Sequence, residues 1–548
     1  MLSNQKVSNM TVSASTIPTQ DEKTGLAKWF PLLVLLAAQF STMADNSGLA
    51  ISTDALIALH GATMPQIQMA NAMYPLIAGA GMIAGGLIGL IIGWKRQMII
   101  GAGMLAAASF GAAFAPNMEM LNYGARVGAG LGACLLIPAV LANVAGIYKG
   151  KDQAIAFSAI AALVGLASAV TPLLFGFILD VASFQVAFIG LGIYCVLVML
   201  GSMKLPVLDS SPFQGKLDTL GIALAGIGLL CFVTGLLKIS EWGLIAPLTE
   251  FTIFGISPAI PTVLVGAAIL KTLMVWERRF EAKGGTPLLP SSYVKNSQVI
   301  VGLVLCATIF LLFGATGFIN VSYMQLVAGM SAFSSGLALC AFALGMMIGS
   351  LGAPAKLAHL TCQRICQLGF IVAAIGTGLM FLGFTADGIT FWQYVSLTIF
   401  GIGAGLLASQ ASIVVTSALS EREAQQSGGI QATSRNVGQA FGVAILGSVM
   451  LFSLTGAIKA NVSEHEALSA ETKQIIIEQP SLPFVSNTMA IDLMENLIVD
   501  KEEQRIVLAV LAESRLQSVQ YALFALLAMM LGGLALCSKL PQRSLMKS

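Results

Sequence analysis

The sequence predicts an all-α integral membrane protein with fourteen spans. Three observations carry this. Only 10% of the 548 residues are charged and 56% are hydrophobic, whereas a soluble chain carries about 25% charged residues. The apolar residues gather into fourteen runs, each near the roughly 20 residues that a bilayer core requires. Lys and Arg concentrate in alternate short loops, as in a chain threaded back and forth through a bilayer. A large soluble enzyme, a nucleic-acid binder and a disordered protein are excluded as readings of the whole chain. The runs lack period-two alternation, which argues against a membrane β-barrel.

In order, residues 1–28 are polar and rich in Ser and Thr, and are expected to form a disordered cytoplasmic tail rather than a cleaved leader. The runs then fall near Trp29–Thr53, Gln66–Gly93, Met98–Ala115, Leu121–Tyr148, Ala154–Asp180, Val186–Met203, Leu217–Leu237, Ile260–Trp276, Val299–Leu326, Ala332–Leu351, Leu368–Phe384, Trp392–Ser417, Gly428–Leu454 and Val519–Cys537. With the amino terminus inside, the inner loops hold Lys95 and Arg96, Lys149 and Lys151, Lys204 and Lys216, Arg278, Arg279, Lys283 and Lys295, Lys356 and Arg364, and Arg422. The short outer loops hold only Lys238. This asymmetry requires an even number of spans and places both termini in the cytoplasm. One outer loop, 457–518, is long and acidic. Its Ile491, Leu493, Met494, Leu497 and Ile498 have helical spacing, so a solvated helical hairpin is expected there. A lid or acidic antechamber for cationic solutes is the alternative. Most of the eight Cys lie inside apolar runs, where Cys acts as a small hydrophobe, and no metal site or disulfide framework is expected.

Several motifs are more specific. The fourth run reads Arg126-Val-Gly-Ala-Gly130-Leu-Gly132-Ala133 and then Pro138. The fifth contains Gly165, Ala169, Thr171, Pro172 and Gly176. Lys216-Leu-Asp218 through Trp242, Trp276-Glu-Arg-Arg279, and Gln431 through Arg435 to Gly438, Gly442 and Gly447 complete the series. From about Trp29 to Lys539 the chain resembles the fourteen-span drug/proton antiporter branch of the major facilitator superfamily. The resemblance implies two six-helix bundles, 29–205 and 298–548, joined by two linker spans within 206–297, with each bundle made of inverted three-helix repeats. Small residues four apart, such as Gly128/Gly132 and Gly438/Gly442, let helix backbones approach. Pro172 frees a backbone carbonyl. Two departures stand out. Leu90 and Ile91 occupy the positions where the family's inner-gate loop carries Asp and Arg, between Gly86 and Gly93-Trp94-Lys95-Arg96. Phe184-Gln185 replaces the usual Trp-Arg.

An ionisable residue within a span costs about 2.5–3.5 kcal/mol on insertion scales and is a functional candidate by default. Asp45 matches the acid of the family's first-span motif and is the candidate proton carrier. Arg126 is its candidate partner, tuning the acid during exchange or anchoring helices by a fixed hydrogen bond. A quiet Asp45–Arg126 pair, or a cap by Asn46, is the structural alternative. Asp54 lies nine residues on; along a straight helix it points away from Asp45, about 13 Å further out, as a rim residue. Gln68, Asn71 and Tyr74 step along the second span as a candidate cavity face. Asn46, Tyr323 and Gln325 are the other cavity candidates. Gly86, Gly93, Gly130, Gly165, Pro172, Gly176 and Arg435 are candidates for gating and helix packing. The resemblance implies proton-coupled export of small amphipathic or cationic compounds by a bacterial inner-membrane protein. An exporter of one metabolite or siderophore is an alternative, as is a transporter-like sensor. No nucleotide-binding motif or catalytic constellation is present, so no cofactor and no enzymatic activity are expected, with the proton gradient as energy source. The expected partners are lipids, protons and a small solute, with no nucleic acid and a monomeric state.

Overall fold

The computed structural model describes residues 26–148, 150–208, 218–243, 247, 252–253, 255–285, 287–288, 291–357, 359–419, 421–479, 482, 484–495, 500–540 and 542. Residues 1–25 and the basic residues Lys149 and Lys216 lie outside these residues, whereas 26–28, expected in the tail, begin the first helix, where Lys28 pairs with Asp152 at 2.7 Å. Fourteen helices of 19 residues or more run through the described chain. They are α1 Leu26–Ala50, α2 Met64–Ile92, α3 Trp94–Ala113, α4 Arg126–Ile147, α5 Gly150–Val181, α6 Phe184–Ser202, α7 Thr219–Leu237, α8 Ala259–Ala282, α9 Ser297–Leu326, α10 Ala332–Lys356, α11 Cys362–Gly383, α12 Phe391–Thr416, α13 Glu421–Glu464 and α14 Lys501–Leu536. Ten helices, α4 and α6 to α14, are long and apolar enough to cross a membrane, judged on the described residues. The other four, α1, α2, α3 and α5, pack against α4 or α6 in one bundle.

Helix is the only open-ended way to satisfy backbone polar groups in lipid, and the sequence supplies its ends. Asn296 caps α9 by accepting from the Gln298 and Val299 N–H groups. Thr361 caps α11 and Asp500 caps α14. Asp218 caps α7 and also accepts from the Trp276 indole N–H at 2.8 Å, which ties the two linker helices together.

The amino-terminal bundle is α1–α6, with α4 packed on α2 and α3. The carboxy-terminal bundle is α9–α14, with α12 between α10 and α11 and α9 against α13. The two bundles meet along α2–α13 and α5–α10, and α7 covers the α2–α13 seam. Glycine makes these contacts close. A Cβ on Gly438 or Gly442 would come within 2.1 Å of α9 carbonyls. One on Gly130 would meet Ile77 at 2.7 Å.

Two expectations are corrected. The first span does not continue to Thr53: α1 stops at Ala50 and a separate short helix, Thr53–His60, follows, closed by Gly61 in the left-handed conformation. The straight-helix relation of Asp54 to Asp45 therefore fails. Gly86 does not mediate packing among the described residues, because a Cβ there would meet nothing of them within 4 Å. The long acidic loop 457–518 is built in part by extensions of the two flanking helices. At 44 residues α13 is about 66 Å long, more than twice the bilayer core, and α14 begins at Lys501. Asn461 donates to Ser514 and Gln517 where the two extensions meet. Two short helices, Ala470–Glu478 and Asn487–Glu495, fold back on them. Met494 is buried there; Leu497 and Ile498 lie outside the described residues.

Candidate functional site

Asp45 of α1 and Arg126 of α4 form an ion pair. Arg126 Nη1 donates to Asp45 Oδ2 at 2.6 Å, with both side chains almost fully buried. Arg126 Nε donates to the Ala70 carbonyl of α2 at 3.1 Å. The Tyr74 ring lies 5.1 Å from the guanidinium carbon, and its hydroxyl donates to the Thr42 carbonyl. The arginine thus joins three helices. Arg126 Nη2 has no hydrogen-bond partner among the described residues. Immediately before Arg126 the backbone makes a π-helical segment, Met120–Ala125, an irregularity often found at functional sites.

The residue after Asp45 faces a different space. Asn46 lines a cavity of about 90 Å³ between the bundles, with Asn71 and Pro172 from the amino-terminal half and Phe313, Phe342 and Gln439 from the other. Phe313 and Phe342 pack with ring centroids 5.3 Å apart. Drug-sized ligands occupy pockets of roughly 300–1,000 Å³. In this conformation the bundles are therefore drawn together, and a solute of that size requires them to part.

Of the six cavity candidates, Asn46 and Asn71 line this cavity. Gln68, Tyr74, Tyr323 and Gln325 do not. Steps of three residues advance 300° around a helix, so Gln68 and Tyr74 end about 120° apart. Gln68 donates across the seam to the Val443 and Ala444 carbonyls and to Ser448. Tyr74 faces α1. Tyr323 turns into its own bundle and donates to the Thr385 carbonyl. Gln325 bridges the bundles: its amide donates to the Ile51 carbonyl at 2.7 Å, and its oxygen accepts from the Asp54 N–H at 3.0 Å.

The packing candidates divide similarly. Pro172 sits at the cavity, and its carbonyl would lie 2.6 Å from a Cβ on Gly336. A Cβ on Gly176 would fall 2.6–2.7 Å from the backbone of Ala332 and Phe333. Gly93 joins α2 to α3 with φ +87°, a conformation few other residues adopt. Arg435 stacks over Phe310. The surroundings of Gly165 lie outside the described residues. Sequence reading missed Phe313, Phe342 and Gln439. Gln439, a lone amide between Gly438 and Gly442 in an apolar run, carried a usable signal.

The end of this seam remote from the basic loops is closed. The Asp180 carboxylate, at the end of α5, accepts from the Ala332 and Phe333 N–H groups at the start of α10, at 3.1 and 3.2 Å. A helix amino terminus favours such an anion. Partial burial first, and the Asp180 charge second, raise the Asp54 carboxyl above the usual carboxylate range, although much of its side chain remains exposed.

The family described as Major Facilitator Superfamily matches residues 35–443. A probable actinorhodin transporter of Streptomyces coelicolor is 27% identical over 78% of this chain and 73% of its own length. A puromycin resistance protein of Streptomyces alboniger is 26% identical over 81% of this chain and 85% of its own. The solved structure of a bacterial homolog to the human lysosomal transporter Spinster, inward-facing and unoccupied, superposes with a TM-score of 0.59. It is 14% identical and is matched over 94% of this chain and 98% of its own.

Proposed function

The chain belongs to the Major Facilitator Superfamily, a family of membrane transporters, and from that premise we propose that it is a proton-coupled exporter of small amphipathic or cationic compounds. The observation that carries the reading is the buried Asp45–Arg126 pair, one residue from the inter-bundle cavity. A carboxylate in a low-dielectric site has a neutral, protonated alternative that its arginine partner lacks. Protonation of Asp45 cancels the attraction to Arg126 and frees α1 from α4. Asn46 rides on the same turn of α1, so the cavity wall moves with the pair. The relatives named for an actinorhodin transporter and for puromycin resistance support efflux of organic compounds. The basic short loops support an orientation with the termini in the cytoplasm of a bacterial cell. Proton entry is then driven by the membrane potential as well as by the pH gradient, at about 2.3 kcal/mol per charge per 100 mV.

The test is solute transport in proteoliposomes under an imposed pH gradient, over a panel of puromycin, cationic dyes and neutral metabolites. Wild type is expected to accumulate at least one solute against its gradient, and Asp45→Asn to lose the dependence on pH gradient. Unaltered coupling in Asp45→Asn removes Asp45 from the role. Transport of one neutral metabolite alone replaces the broad-exporter reading with a narrow one.

A further inference from the structure

A second, larger cavity lies on the half of the molecule that carries the basic loops. Its volume is about 790 Å³, within the range that holds drug-sized ligands. The linker helices supply one wall through Ala225, Leu229, Leu270 and Met274. The other wall straddles the bundle seam, with Ala80 of α2 and Ile430 and Thr433 of α13. Its lining includes four charged residues: Glu277, which is buried, and Arg278, Glu281 and Lys295 toward the surface. The carboxylates are oriented by the chain itself, since Glu277 accepts from the Leu288 N–H and Glu281 from the Ser291 N–H. Arg278 and Lys295 are exposed, with no ion pair or hydrogen bond among the described residues.

We propose that this cavity binds one zwitterionic aminophospholipid from the surrounding membrane. An apolar slot whose rim carries two cations and the Glu281 carboxylate matches a ligand that has a hydrocarbon chain, one phosphate and one primary ammonium. Arg278 and Lys295 take the phosphate. Glu281 takes the ammonium, and the acyl chain lies along Leu229, Leu270 and Met274. An anionic headgroup without an amine meets the two carboxylates unfavourably. An organic cation meets Arg278 and Lys295. A choline headgroup has no N–H to donate. Because the slot spans α2 and α13, the bound lipid wedges the linker pair against the moving seam. The inference rests on the membrane location and not on the proton-coupled reading.

The test is native mass spectrometry of the full chain released from micelles supplied with phosphatidylethanolamine, phosphatidylcholine or phosphatidylglycerol. Wild type is expected to retain one phosphatidylethanolamine at about tenfold lower lipid concentration than either other lipid, the scale of a charge-assisted hydrogen bond. Glu281→Gln and the double variant Arg278→Gln/Lys295→Gln, all at solvent-accessible positions, are expected to abolish that preference. Ala225→Trp, which fills the slot without touching the charges, is expected to lose the adduct altogether. Equal retention of the three lipids overturns the proposal, as does a preference that survives the charge variants. Retention of tetraphenylphosphonium in place of lipid, lost in Glu281→Gln, overturns it in favour of a cation site.

Discussion

Arg126 Nη1 donates to Asp45 Oδ2 at 2.6 Å in a site that water hardly reaches. A buried ion pair contributes little net stability, but removing one partner strands the other and costs about 3–5 kcal/mol. Asp45→Asn and Arg126→Met are each expected to lower the thermal midpoint in detergent markedly. The double variant is expected to recover most of the loss, because it leaves no buried charge. Additive losses mean that the two residues are not energetically coupled.

Gln325 spans the bundles with two hydrogen bonds to Ile51 and Asp54. Each net bond is worth about 0.5–1.5 kcal/mol, so Gln325→Ala shifts the balance toward the opened seam by about 5- to 150-fold. In a cysteine-free background, Asn46→Cys is expected to react faster with a membrane-impermeant maleimide when Gln325→Ala is added. An unchanged rate removes Gln325 from the closure.

Gly176 and Gly86 make a matched pair. At Gly176 a Cβ falls within 2.7 Å of the α10 backbone, and backbone cannot swing aside as a side-chain tip does. Gly176→Val is expected to stop α5 from closing on α10 and to abolish transport while the protein stays folded. Gly86→Ala meets open space inside α2 and is expected to leave transport intact and to raise stability by about 0.5–1 kcal/mol. Transport assays and unfolding curves of the two variants separate closure from general packing.

The parts of this molecule that were legible in the sequence are those with one-dimensional signatures. Apolar run length gave the helices, and the scarcity of charge within runs pointed to Asp45 and Arg126. Direction around a helix was harder to read. Gln68, Asn71 and Tyr74 looked like one face, but drift of about 60° per step turns them toward α13, the cavity and α1 respectively. The helix break after Ala50 was hidden because Ser52, Thr53 and Asp54 interrupt the run too briefly to mark a loop. The cavity wall of the second bundle stayed hidden too, since Phe313 and Phe342 face it from separate helices and only packing brings them together.

Glu503, near the start of α14, holds the short-helix hairpin to the long helices. Its carboxylate accepts from the Ser469 N–H at 2.9 Å and from the Ser469 and Thr472 hydroxyls, at the amino end of the helix Ala470–Glu478. The Thr472 hydroxyl first and the Ser469 N–H second lower the Glu503 carboxyl below its ordinary value of 4.5. The folded state therefore prefers the ionised form. Its contribution is complete above the ordinary glutamate range and fades as pH falls through the lowered value. Spin labels at Glu471 and Arg505 are expected to give one narrow distance distribution at neutral pH, broadening on acidification below the ordinary glutamate range. Glu503→Gln cannot ionise, so it is expected to show the broad distribution already at neutral pH and no further acid response. A distribution in Glu503→Gln that is narrow at neutral pH and broadens with acid as in wild type assigns the acid response to another group.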